Sequence, residues 1–147
     1  MALDLRMFSS KSATVRHEFV IRTYVPEEDV VKTLRAVTEI VPLRYGSYEN
    51  VAFQSPLGIQ KFRPVSGSHL GDSSRVLDFP VVELIFSIPY DEGILKSVID
   101  QIFEVHIAEE PVIYIDEGWS TRAKSYSDKA NPNRFWNRPE YNDESKW

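Results

Sequence analysis

The side chains best suited to chemistry include a histidine that is followed closely by two acids. His106 precedes Glu109 by three residues, and Glu110 comes directly after. A histidine and a carboxylate at this spacing can share one divalent cation where the backbone is helical, because both then lie on one face. The alternative is that Glu109 and Glu110 accept hydrogen bonds from backbone donors, or pair with an arginine, at the start of a strand. A divalent metal is therefore a candidate cofactor, but two ligand types do not define a site.

A second group of candidates lies near the middle of the chain. Arg63 stands between Phe62 and Pro64, and a guanidinium held there can bind a carboxylate or phosphate through two hydrogen bonds. An ion pair with one of the chain's own acids would use the same side chain. His69 lies in the glycine-bordered run 67–71, where it could approach His106 across a subunit cleft or could simply face solvent. We therefore treat Arg63 as a candidate for binding a small anionic ligand and His69 as a weaker candidate.

No catalytic signature accompanies these residues, so no catalytic residue is assigned. The run 67–71 lacks the Lys-Ser/Thr ending of a phosphate-binding loop, and no helix pattern follows it directly. An enzyme would need a positioned acid, base or nucleophile. The sequence favours a non-enzymatic protein. One alternative is a metal- or nucleotide-dependent enzyme whose site forms between subunits from the five candidates, Arg63, His69, His106, Glu109 and Glu110. Another is a purely structural assembly protein.

Two strand–helix units must position these side chains. His17 to Val25 alternates as a strand does, and Pro26 with the acids after it predicts a helix that ends before Pro42. The run from Phe79 to Pro89 is almost wholly apolar, as expected for a central strand buried on both faces. A second helix with a Pro-plus-acid start follows, and a short strand is predicted over residues 112–115.

The region between the two units reads as a hairpin. Arg44 to Ser55 and Ile59 to Pro64 are strand-like runs, separated by Pro56, Leu57 and Gly58. The element order is then β-α-β-β-α-β, which predicts an α+β, ferredoxin-like fold with an antiparallel sheet and both helices on one face. The predicted core consists of Leu34, Val37, Ile85, Val98 and Ile102.

Two motifs resemble a known domain. Residues Phe53 to Gly71 (FQSPLGIQKFRPVSGSHLG) and Phe103 to Tyr114 (FEVHIAEEPVIY) are similar to the PII/CutA-like domain inserted into YqfO-type proteins. The second motif departs from the family pattern, since Ile107 and Ala108 stand where the family has Pro and Tyr. The metal-binding half of those proteins has no counterpart, so their enzymatic label does not transfer. The resemblance implies a stand-alone relative of PII and CutA, which are small binding or regulatory proteins that form oligomers, usually trimers, with ligand clefts between subunits.

Length and composition predict one soluble domain with two extensions. The chain has 147 residues, 42% of them apolar, and no cysteine, which is simplest in a cytoplasmic protein. No run of apolar residues is long enough for a signal peptide or a membrane span. We therefore expect residues 1–15 to form a flexible N-terminus, residues 16–117 to form the PII/CutA-like domain, and no membrane to be a partner.

The charge distribution argues against nucleic acid as a partner. Residues 14–117 hold 9 Lys/Arg against 17 Asp/Glu, a net charge of −8, whereas residues 118–147 hold 6 against 4, a net charge of +2. An acidic body repels a phosphate backbone. The last segment is rich in aromatic residues, and we expect residues 118–147 to form a C-terminal extension docked on its own or a neighbouring subunit. Its aromatic residues are Trp119, Tyr126, Phe135, Trp136, Tyr141 and Trp147.

Overall fold

The computed structural model describes residues 2–125 and 129–147, so Tyr126 of the predicted extension lies outside the described residues. The chain divides into two compact units. One unit runs from Arg16 to Ser120, and the other joins the residues up to Val15 with those from Thr121 onward. Among the described residues, no helix is both long and apolar enough to cross a membrane.

Five strands and two α-helices make up the regular structure of the chain. In chain order they are β1 (Ala13–Val25), α1 (Val30–Thr38), β2 (Phe53–Gln54), β3 (Gly58–Phe62), β4 (Leu77–Pro89), α2 (Glu92–Val105) and β5 (Ile113–Ala123). The last strand is much longer than predicted. Short 3-10 turns cover Leu5–Met7, Glu27–Asp29, Phe135–Asn137, Pro139–Tyr141 and Glu144–Lys146.

The sheet confirms the predicted ferredoxin-like order. Its strands run β2-β4-β1-β5, and β3 also pairs with β4. β1, β2 and β3 are all antiparallel to β4. Because β2 and β3 follow one another along the same edge of β4, they act as a single interrupted strand. The chain therefore has the β-α-β-β-α-β order of an α+β ferredoxin-like fold.

The predicted hairpin between β2 and β3 is wrong, because both pair with β4 and not with each other. Phe53 lies opposite Ile85, whereas Gly58 lies opposite Val81, so the register shifts by one residue in between. At this bulge the Ser55 hydroxyl oxygen accepts a 2.7 Å hydrogen bond from the Glu83 N–H. The proline at position 56 has no N–H to offer to a ladder, so it ends the pairing without turning the chain back.

The core lies between the sheet and the two helices. Alternate residues of β1 and β4 face the helices, so that Ile21 is paired with Phe86 and Val25 with Val82. The main cluster comprises Ile21, Val37, Val41, Leu43, Phe86, Ile88, Val98 and Ile102. Of the five predicted core residues, Val37, Val98 and Ile102 are buried here, and Leu34 packs against the cluster while partly exposed.

Ile85 is the one predicted core residue that lies on the face of the sheet away from the helices. It pairs with Arg22, one residue out of phase with the buried Phe86, and it is only half-buried. A run such as Phe79 to Pro89 carries apolar residues at both parities, so its pattern does not show which set meets the helices. The face that holds Ile85, Arg22 and Tyr24 is called the open face below. β4 is thus fully buried on one face only in the single chain.

The second helix begins where its sequence predicts. Asp91 caps α2, because its side chain accepts a 2.9 Å hydrogen bond from the Ile94 N–H. In the first strand–helix unit, Pro26 is followed by a 3-10 turn before α1. α1 ends at Thr38, before the end predicted at Pro42.

In the C-terminal segment, which comprises the residues from Lys124 onward, four described aromatic residues pack on one another. Phe135 makes edge contacts with Trp136 and Trp147, and Tyr141 also contacts Trp147. The Arg138 guanidinium lies 4.7 Å from the centre of the Tyr141 ring. Trp119, in contrast, belongs to β5 and not to this segment.

Candidate functional site

The open face of the sheet carries a polar pair at its centre. Tyr24 of β1 lies directly opposite Glu83 of β4, and its hydroxyl donates a 2.7 Å hydrogen bond to Glu83 Oε2. Tyr114 of β5 contacts the Tyr24 ring edge to face, with 6.2 Å between the ring centres. Three neighbouring strands thus bring two phenol rings and one carboxylate together.

A cleft of about 440 Å³ opens beside this pair. Glu83, Tyr24 and Tyr114 form its polar and aromatic wall, and the residues of the β2–β3 bulge form much of the rest. The full lining is Tyr24, Ser55, Gly58, Ile59, Gln60, Lys61, Val81, Glu83, Val112 and Tyr114. A cleft of this size with a few convergent polar groups has the form of a small-molecule site.

The carboxylate changes the acidity of its tyrosine partner. The hydrogen bond to Glu83, with burial and the negative charge adding to it, raises the pKa of Tyr24 to about 12. Ionising the phenol would break that bond and place two negative charges side by side. The Tyr24 hydroxyl therefore remains a proton donor throughout the physiological pH range.

Two of the five predicted site residues come together at a different place. Glu109 binds His69 twice, accepting a 2.9 Å hydrogen bond from the His69 N–H and another from ring Nδ1–H. This contact holds the loop after β3 against the connection between α2 and β5. The hydrogen bond from the ring raises the pKa of His69, and the same bond lowers the pKa of Glu109.

His106 does not join this pair, because both of its ring nitrogens are used elsewhere. Its Nδ1 accepts a 2.9 Å hydrogen bond from the Ala108 N–H, which leaves the proton on Nε2. Nε2 donates at 2.6 Å to the carbonyl of Tyr24, next to the Tyr24–Glu83 pair. The hydrogen bond from His106 to Tyr24 thus links the end of α2 to β1.

The remaining predicted residues stay apart in the single chain. The Arg63 guanidinium donates a 3.0 Å hydrogen bond to the carbonyl of Ser73 in its own loop. Glu110 is exposed and follows Glu109 directly in the chain. Over residues 2–125 and 129–147, no three His, Asp or Glu side chains are grouped so that they could hold a metal ion.

His17, for which the sequence predicted no role, lies in an aromatic stack. Its ring is nearly parallel to Tyr90 and to Trp119, with ring centres 3.8 and 4.4 Å away. Its Nε2 donates to Glu117 Oε1 at 2.6 Å. The stack joins β1, β5 and the turn before α2, which gives His17 a structural role.

Sequence reasoning missed Tyr24, Glu83 and Tyr114 as site residues. The available signal was Glu83, a charged residue in the middle of the apolar run Phe79 to Pro89. An acid at the centre of a strand needs a polar partner. The sequence does not identify that partner, because the pairing of β1 with β4 joins residues far apart in the chain.

Comparison with known proteins supports the fold. No known family matches the sequence, and no curated protein matches it. A Bacillus cereus protein related to NIF3 has a similar structure, with a TM-score of 0.59 and 18% identity, over 73% of this chain and 27% of the other. This chain thus spans about a quarter of that protein, and the likeness concerns the fold alone.

Two CutA1 structures are also similar, at lower TM-scores. The protein from Oryza sativa gives a TM-score of 0.49 at 14% identity, covering 71% of this chain and 82% of the other. The divalent cation tolerance protein from Thermus thermophilus gives 0.47 at 16% identity, covering 68% and 82%. Both scores are too low to add weight, so the fold likeness depends on the NIF3-related structure.

Proposed function

We propose that this chain is a non-enzymatic, homo-oligomeric binding or regulatory protein of the PII/CutA-like type, related to the domain of YqfO-type proteins, and that it assembles as a trimer. The observation that carries the proposal is the apolar surface around β3, which one chain leaves uncovered. The two motifs that resemble the YqfO-type domain support it independently.

The uncovered surface lies on the arm formed by β3 and the paired part of β4, residues Leu77 to Val81. Ile59 and Leu57 are each 57% exposed, and Val76, next to the arm, is 58% exposed. Ile59 and Phe62 project from opposite faces of the arm, because they are an odd number of residues apart in one strand. Apolar exposure on both sides of a narrow arm is costly in water and favours burial against another molecule.

The sheet edges support the same conclusion. β2 and β3 form one edge of the sheet and β5 forms the other. Edge strands present unpaired backbone N–H and C=O groups, which another copy of the chain can satisfy. Joining unlike edges around a rotation axis closes a ring, and a trimer is such a ring. The oligomer then covers both the arm and the edges.

Light scattering coupled to size exclusion tests the proposal. We expect a mass near three times the 17.0 kDa of one chain at micromolar concentration. Leu57→Asp should reduce that mass, because it places a charge in the proposed interface. Val31→Asp is the matched control, since Val31 is 66% exposed on α1, away from the arm. A monomer mass for the unaltered protein would overturn the proposal, as would an equal loss of mass in both variants.

A further inference from the structure

The cleft beside the Tyr24–Glu83 pair combines a carboxylate with aromatic rings. Glu83 supplies the negative charge, and the rings of Tyr24 and Tyr114 lie at its side. Carboxylates attract cations directly, and aromatic rings attract them through the negative charge of their faces. An ammonium group is the ligand chemistry that both kinds of side chain favour.

Glu83 forms no salt bridge with a cationic side chain among the described residues. Asp116 faces Arg22 at 3.9 Å, and Lys61 at the cleft rim is held by Asp78 at 2.7 Å. Glu83 instead accepts from the neutral hydroxyl of Tyr24 through one oxygen. Its carboxylate is therefore oriented by Tyr24, and no described cation contacts it in a salt bridge.

Two further polar groups of the cleft are available to a ligand. In the part of the chain that the structure describes, no hydrogen bond joins the Gln60 side-chain amide or the Tyr114 hydroxyl to another group. Both residues line the cleft with Glu83. A bound molecule can thus gain hydrogen bonds there without breaking any that hold the fold.

We propose that this cleft binds a small organic ammonium compound, with its charged nitrogen at Glu83 and its apolar body against the rings of Tyr24 and Tyr114. Ligand binding here rests on the proposed function, since it assigns a ligand class to a binding protein. It also requires the assembly to leave the cleft open, although Ile59 belongs to both the cleft and the proposed interface. The volume of about 440 Å³ admits a molecule with one ring and a short chain.

Titration with 2-phenylethylammonium chloride, followed by amide NMR shifts, tests the site. We expect saturable shifts at Tyr24, Glu83 and Tyr114. The neutral 2-phenylethanol and the anionic 3-phenylpropionate share the ring and should bind at least about tenfold more weakly, because they lack the charge that Glu83 attracts. Equal binding of all three compounds would show a merely apolar pocket and would overturn the proposal.

Two variants separate the cleft from the general charge of the chain. Glu83→Gln should weaken binding of the ammonium compound at least about tenfold. Glu104→Gln is the control, because Glu104 is exposed on α2, does not line the cleft and can lose its charge without freeing Arg22 from Asp116. It should leave the affinity nearly unchanged. Equal losses in the two variants would overturn the proposal.

A third variant keeps the test decisive if Glu83→Gln does not fold. Tyr114→Ala removes a ring that is 55% exposed, so the fold should tolerate it, and affinity should fall about two- to fivefold. Light scattering on the same samples measures the oligomer mass separately from ligand binding. A monomer that binds the ammonium compound would therefore refute the proposed assembly but not the proposed site. Binding only after an oligomer has dissociated would mean that a neighbouring copy fills the cleft, which would overturn the proposed site.

Discussion

Tyr24 and Glu83 face each other across the β1–β4 pair, 59 residues apart in the chain, and the tyrosine hydroxyl donates a 2.7 Å hydrogen bond to the carboxylate. The pair lies on the open face next to the Arg22–Ile85 pair of the same two strands. Partial burial makes this hydrogen bond more stabilising than it would be in water, because either group, if left unpaired there, could not be fully hydrated. The pair thus fixes the direction of the one carboxylate that lines the cleft.

We expect Tyr24 to titrate well above the ordinary pKa of a tyrosine. Its pKa is raised to about 12, so the protonated phenol stabilises the native state. That stability is fully present below the ordinary pKa near 10 and is lost as the pH rises toward 12. NMR titration of ring-labelled tyrosine measures the pKa directly, and Tyr24→Phe assigns the signal. In Glu83→Gln the signal should move to lower pH, and an unchanged titration would contradict the hydrogen bond.

We expect the His69–Glu109 contact to hold over a window of pH. The raised pKa of His69 means that its contribution is present below the ordinary value and lost as the pH rises through the folded value. The lowered pKa of Glu109 means that its contribution is present above the ordinary value and lost as the pH falls through the folded value. The protection of the loop amides against hydrogen exchange, measured relative to the intrinsic rate at each pH, should therefore be greatest between the two pKa values.

The adjacent acid provides the control for this contact. Glu109→Gln should lower the pKa of His69 toward that of free histidine. It should also speed hydrogen exchange of the His69 amide, because Glu109 accepts a hydrogen bond from that N–H. Glu110→Gln removes an equal charge one residue away and should change the His69 pKa far less. A proton NMR titration of the 3 histidines distinguishes the two variants. Equal shifts would mean that general charge, and not the contact, sets the pKa.

We expect the two faces of the sheet to differ in how much they stabilise the chain. Ile102→Ala should cost about 2–5 kcal/mol, because the side chain is fully buried in the cluster between the sheet and the helices. Ile85→Ala on the open face should cost less, since that side chain is only half-buried in the single chain. Urea unfolding measures both. A larger loss at Ile85 would show that the open face is itself buried, as an oligomer contact would bury it.

The fold could be predicted from the sequence because its signals are local. Asp91 caps α2 where the acid after Pro89 predicts a helix start, and Val37, Val98 and Ile102 follow the helical period into the core. The sheet register is not local. The side of the sheet that Ile85 takes and the absence of a β2–β3 hairpin both depend on pairing with β4, which sequence periodicity does not reveal.

The candidate site was harder to predict for the same reason. His106, Glu109 and Glu110 are neighbours in sequence, but the bend after α2 directs His106 to β1 and Glu109 to the distant His69. Short spacing predicts a shared ligand only where a helix continues, and α2 ends at Val105, just before His106. Polar residues that meet across strands, such as Tyr24 and Glu83, have no fixed separation in the sequence by which they could be recognised.

The C-terminal segment from Lys124 onward is rich in aromatic residues. Phe135, Trp136, Tyr141 and Trp147 form a connected cluster. The first three are each about 40% exposed, so more than half of each residue is already shielded. Burial of apolar area at roughly 25 cal/mol per Å² offsets part of the cost of ordering the segment. We therefore expect the segment to contribute to the stability or assembly of the particle. Truncation after Ala123, which keeps β5 whole, should lower the melting temperature or the oligomer mass.

A second truncation and a protease test sharpen this prediction. Truncation after Glu117 removes half of β5 together with Trp119, which stacks on His17, so it should destabilise the chain far more than truncation after Ala123. In the intact protein, limited proteolysis should cut slowly within the cluster between Phe135 and Trp147. Rapid trimming to near Lys124, with the melting temperature and oligomer mass of the trimmed protein unchanged, would show that the segment contributes neither to stability nor to assembly. An external partner would then be the better explanation for its aromatic cluster, because half-exposed rings beside Arg138 are typical of surfaces that bind another molecule.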